Sequence, residues 1–95
     1  MIDHVIMFKA SQMTADGEAE LFEKLATLRQ IPGVIDLAIG KNFGARSRGF
    51  DYCMRITFAS RDDLDAYEAH PTHRDVVPYN RAVTDEHICV DFEWT

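Results

Sequence analysis

The clearest alternation lies at the end of the chain. From His87 to Trp94, the apolar residues Ile88, Val90, Phe92 and Trp94 take turns with His87, Cys89, Asp91 and Glu93. A period of two is that of a strand with one apolar face. Three earlier runs also read as strands: His4 to Phe8, Val34 to Ile39, and Tyr52 to Phe58, the last with Tyr52, Met54, Ile56 and Phe58 on one face. The first run differs in kind. One of its faces holds Ile2, His4, Ile6 and Phe8, the other Asp3, Val5, Met7 and Lys9. Both are apolar in the middle, which predicts cover on both sides.

Between the strands the period changes to that of a helix. Leu21, Phe22, Leu25 and Leu28 share one face, behind Thr14 as N-cap and Asp16 and Glu18 in the first turn. Pro32 and Gly33 end that helix. Ser60 caps a second one, with Leu64 and Tyr67 on its inner face. Pro71 breaks or restarts it. Thr72 to Ala82 then reads as a short helical piece interrupted by Pro78.

The order β-α-β-β-α-β predicts one α+β domain over residues 1–95. It is ferredoxin-like, an antiparallel sheet with its helices on one face. Two helices cover only one side. Left bare, Ile88, Val90, Phe92 and Trp94 would form a large apolar patch. The simplest second cover is another copy of the sheet, which makes the expected assembly a homodimeric α/β barrel.

Charge removes some function classes. Ten Lys and Arg against 16 Asp and Glu leave a net charge of −6, which disfavours nucleic acid. Lys41, Arg46 and Arg48 sit in a Gly-containing loop and read as a solvated turn. No apolar run approaches the ~20 residues of a membrane helix. Asp3 and His4 interrupt the first apolar stretch, so no signal peptide is read there and a cytoplasmic location is expected. Cys53 and Cys89 fit no zinc or redox spacing and are expected as reduced, core or near-core residues.

Several segments together resemble the stress-responsive A/B-barrel (Dabb) family. They are His4-Val5-Ile6-Met7-Phe8-Lys9, Ile31-Pro32-Gly33-Val34, Gly49-Phe50-Asp51, Phe58-Ala59-Ser60-Arg61-Asp62-Asp63-Leu64, and Tyr67-Glu68-Ala69-His70-Pro71-Thr72-His73. The last is the most specific. The resemblance implies a dimeric α/β barrel. It also implies a choice of functions: stress-induced proteins that resist denaturation and assemble, or a cofactor-free plant polyketide cyclase acting by aldol condensation. In that cyclase branch a Tyr and a His match Tyr67 and His73, and a further His matches His4. A Tyr on the first helix of the cyclase has no counterpart, because Lys24 and Leu25 stand there.

The residues give that resemblance a physical reading. Imidazole, with a pKa near ~6.5, accepts a proton at neutral pH. A phenol, near ~10, donates to a carbonyl or enolate oxygen. His73, beyond the Pro71 break, can turn back over the face that holds Tyr67. Together they can remove a proton next to a carbonyl and hold the enolate, with no metal and no organic cofactor. The bland readings stand beside this one. Tyr67 could simply fill the core, His73 could cap a helix, and His4 could be a satisfied core histidine.

The expected pocket lies between helices and sheet. His4, Ile6, Phe8, Met54, Ile56 and His87 would line it around a small hydrophobic or polyketide-like carbonyl ligand. His70 and His73, with Asp75, have a spacing that could bind metal, but Pro71 disrupts it. No metal is expected, and His70 reads as a structural cap. The leading function is cyclase- or lyase-like proton transfer. The alternatives are a non-catalytic stress or assembly protein and, on fold alone, a cofactor-free or haem-dependent monooxygenase.

Overall fold

The computed structural model describes every residue from Met1 to Thr95. Strand β1 (Ile2–Lys9) leads to helix α1 (Ala15–Ala26), which tightens into a 3₁₀ turn at Thr27–Gln30. Strands β2 (Val34–Lys41) and β3 (Tyr52–Phe58) follow, then helices α2 (Arg61–Ala69) and α3 (Pro71–Val83), then strand β4 (Glu86–Glu93). The sheet order is β2-β3-β1-β4, with every neighbouring pair antiparallel. This is the ferredoxin-like α+β arrangement that the alternation predicts.

The register sorts the side chains. His4 stands opposite Ile56 on one side and Asp91 on the other, so all three share a face. Ile2, Phe8, Leu37, Met54, Ile56 and Phe58 point the same way and are buried beneath Leu21, Leu25, Leu28, Leu64, Tyr67 and Val76. The helices pack over β1, β2 and β3. The opposite face has no helix over it, and along β4 the chain leaves it open. There Ile88 is 40%, Val90 53% and Phe92 45% exposed.

Local chemistry sets the helix ends. The Thr14 side chain accepts from the Gly17 N–H at 3.0 Å, and Ser60 Oγ from the Asp63 N–H at 3.2 Å. His70 caps α3 as expected: its Nδ1 accepts from the Thr72 N–H at 3.1 Å. Its extended backbone is the one a residue before proline prefers. Pro71 then occupies the first turn, where a missing N–H costs nothing. Gly33 turns the chain into β2 with φ +96°, a region closed to most L-residues.

Two expectations need correction. Helix α3 is not interrupted at Pro78 but runs through it. Pro78 and Arg74, whose carbonyl loses its donor, both lie on the exposed side, where water can take the place of the missing N–H. Nor are Cys53 and Cys89 core residues; both are exposed, free thiols. Cys53 points to the open face. Cys89 points to the helix side, but from the edge strand, beyond the helical cover. No helix is long and apolar enough to cross a membrane.

Candidate active site

Three of the sequence-predicted residues meet. Tyr67 projects from α2 into the space between helices and sheet and is 1% exposed. Its ring centre lies 4.8 Å from that of His73, in the first turn of α3, and 5.8 Å from that of His4 on β1. Phe58 backs it at 5.1 Å. The proline restart makes this possible. His70 and Pro71 end one helix and begin the next, so the first turn of α3 folds back beside the last turn of α2.

The electrostatics suit the roles. Burial pushes the Tyr67 phenol up, with help from the negative charge of Glu68. The group therefore stays a proton donor. Burial lowers the pKa of His73, and the nearby His4 adds to that, while the main chain and carboxylate of Glu68 act the other way. His73 is therefore held towards its neutral form. The ring lies against the Glu68 main chain, yet its buried Nδ1 makes no contact of hydrogen-bond geometry within the protein. A buried imidazole nitrogen left unpaired is uncommon and asks for an explanation.

The sequence reading missed two further residues here. Asp91 bonds to His4 Nδ1 across the β1–β4 ladder. A carboxylate can only accept, so Nδ1 carries the hydrogen and Nε2 of a neutral ring keeps the lone pair. The signal was the polar face of the last strand, which alternation already placed beside His87. Asn80 has a buried, unpartnered Oδ1. It lies seven residues after His73, two helical turns along the same side of α3, with buried Val76 between them.

The predicted lining divides. Phe8, Met54 and Ile56 are closed into the core, where Phe8 stacks on Tyr52 at 5.5 Å, and Ile6 packs at its margin. His87 is exposed and stands opposite Phe8, four residues from the Asp91 that faces His4. At the rise of a strand that is about 13 Å, so His87 lies outside the cluster. Where the cyclase branch has its further tyrosine, Leu25 is buried and Lys24 Nζ reaches to 5.6 Å from the ring centre of Tyr79 on α3.

A hollow of about 500 Å³ is on the other face of the sheet. It lies beneath the β2–β3 loop, between Met7, Phe43, Phe50, Cys53 and Arg55. Its walls hold no acid–base pair. Arg55 is tied to Asp36 at 2.8 Å, and Lys41 to Glu18 at 3.4 Å. The hollows of about 500, 370, 360 and 350 Å³ are not lined by Tyr67 or His73.

Comparison with known proteins bears on this arrangement. A search of curated proteins gives no match. Among solved structures, an Arabidopsis thaliana protein is 21% identical with a TM-score of 0.91, over 100% of this chain and 96% of that one. A hydroxynitrile lyase from Passiflora edulis is 16% identical with a TM-score of 0.87, over 96% of this chain and 90% of that one. At these identities the likeness is one of fold. A Jannaschia protein described as dimeric, ferredoxin-like and of unknown function is 28% identical with a TM-score of 0.82, over 98% of each chain. The family model of the stress responsive A/B barrel domain matches residues 2–94, so the chain belongs to the Dabb family.

Proposed function

We propose that this Dabb protein is a homodimeric enzyme that moves a proton next to a carbonyl group of a small hydrophobic or polyketide-like ligand, in a cyclase- or lyase-like step. His73 Nδ1 takes the proton from carbon. The electron pair passes to the carbonyl oxygen, where the Tyr67 O–H donates a hydrogen bond to the enolate. His4 forms the wall of the site. The pair itself calls on no metal or organic cofactor. The observation that carries this reading is the buried, unpartnered Nδ1 of His73 against the Tyr67 ring. The dimer is supported by the bare apolar face and by relatives described as dimeric.

The test is turnover of two probes: a linear poly-β-ketone thioester, which offers a proton on carbon, and an aromatic cyanohydrin, whose hydroxyl proton the same base would take as the carbonyl forms and cyanide leaves. His73→Ala should abolish turnover. Tyr67→Phe should lower it by roughly 10²-fold or more, the scale of one lost oxyanion donor. Activity that survives both substitutions would refute the assignment.

One observation favours a second reading, a non-catalytic stress or assembly protein. Tyr67 is almost fully enclosed, and none of those hollows opens onto it. On that reading neither probe turns over, and Tyr67→Phe changes neither melting temperature nor assembly.

A further inference from the structure

A cluster beside the proposed site has a different chemistry. His4 Nδ1, Cys89 Sγ and Asp91 Oδ1 lie within 4.8 Å of one another. Sγ stands 3.4 Å from His4 Nδ1 and 3.7 Å from Asp91 Oδ1. A nucleophilic triad would place the thiol on one ring nitrogen and the carboxylate on the other. Here both address Nδ1, while Sγ is 4.0 Å from Nε2. The free thiol is also a poor nucleophile, pushed up to about 11 by burial and by Asp91. Three different donors converge on one point instead of forming a relay through the ring.

We infer that His4, Cys89 and Asp91 form a binding site for a zinc-class divalent cation. Sulfur, nitrogen and oxygen donors together suit zinc better than magnesium or calcium. In a tetrahedral site with ordinary zinc bond lengths, neighbouring donors lie roughly 3.5 Å apart. Both sulfur edges of the cluster match that spacing. The nitrogen–oxygen edge is shorter, because a hydrogen bond occupies it, and it opens when the ion replaces the bridging proton.

Proton bookkeeping is simple. The ion takes the place of the hydrogen on His4 Nδ1, which passes to Nε2 or to solvent. The thiol gives one proton to water, so at least one proton is released per ion bound. Access comes from outside the core. Asp91 lines a hollow of about 360 Å³ at the β4 edge, together with Asp65, Glu93 and Arg61. Glu93 is paired with Arg61 at 3.2 Å, which leaves Asp65 as a second carboxylate on that wall. Water from this hollow supplies the fourth ligand. The ion shares His4 with the wall of the proposed active site, but the ion and the Tyr67–His73 pair do not require each other.

The test is titration of the chelator-treated protein with Co²⁺ and Zn²⁺ alone. One Co²⁺ per chain should bind and produce a thiolate-to-metal charge-transfer band. Cys89→Ser should remove the band and weaken binding at least ~10-fold. Asp91→Asn should keep the band and weaken binding by a similar factor, the scale at which even outer partners act. Both positions are exposed, so the variants should fold, and circular dichroism checks that. Cys53→Ser, on the other face, should change nothing. The site is refuted by an absence of binding, by a band that survives Cys89→Ser or disappears in Cys53→Ser, or by binding that is lost in His70→Ala.

Discussion

The two faces of the sheet are built from the same strands with the same period of two, yet they are held together differently. On the helical face, Ile2, Phe8, Met54, Ile56 and Phe58 are buried by residues of their own chain. On the open face, Ile88, Val90 and Phe92 have no such neighbours. Strand β4 is inverted relative to the others: its polar side faces the helices and its apolar side faces away. The open face also has a polar end. Arg55 donates to Thr57 Oγ1 at 2.8 Å, Thr57 donates to Asp3 at 2.7 Å, and Arg55 reaches Asp36. The comparison teaches that one face is completed by folding alone, while the other, in the proposed homodimer, is completed by association. Their stabilities should therefore answer to different variables.

The sharpest way to break that distinction is one substitution on each face. Phe58→Ala removes a fully buried ring and should cost about 3–5 kcal/mol, the same at every protein concentration. Unfolding in urea at two concentrations tests this; a loss that varies with concentration would contradict it. Val90→Asp places a charge on the bare face, where a second sheet would have to desolvate it. It should weaken dimerisation by roughly 10²–10³-fold, about 3–4 kcal/mol. Light scattering over a dilution series would show the variant as monomer where the wild type is dimer. A wild type that is already monomeric at micromolar concentration would remove the second cover altogether.

Legibility in the sequence followed the same division. Alternation marked all four strands, and the bounds of β3, Tyr52 to Phe58, agree to the residue. It also assigned the two faces of β4 correctly, since period two survives without knowledge of what covers each side. The caps at Thr14, Ser60 and His70 were legible because capping acts within three residues. The path of α3 through Pro78 was not. Whether a proline breaks a helix depends on whether water can reach the freed carbonyl, which is a tertiary fact. The cysteines differ from expectation for a related reason: an apolar run identifies a strand without saying which of its faces is covered, as for Cys53, or whether it lies at the edge, as for Cys89. Tyr67, His73 and His4 came together through the resemblance and the proline break. Asp91 bonds across 87 positions, and only the register of β1 with β4 pairs it with His4.

The smallest expected effect concerns the buried imidazole and separates the faces by pH. Burial lowers the pKa of His73 in the folded protein, whereas the unfolded chain keeps a value near ~6.5. Between those two values the unfolded state binds a proton that the folded state refuses, so stability rises with pH. The contribution is whole above pH ~6.5, falls as acid is added, and levels off once the folded group is protonated too. Glu68 and His4 tune that window by opposite charges. The carboxylates with lowered pKa, Glu18, Asp36 and Asp85, act in the same direction but in more acidic solution, below their ordinary values of 4.5, 3.8 and 3.8. Urea midpoints at pH 7.5 and 5.5, at a concentration that keeps the dimer intact, should therefore fall more for the wild type than for His73→Gln. The same group sets the acidic limb of the proposed activity, which should lie below the ordinary imidazole value. Equal slopes in the two proteins would mean that His73 titrates as if in water, and its place as a neutral proton acceptor behind Tyr67 would go with it.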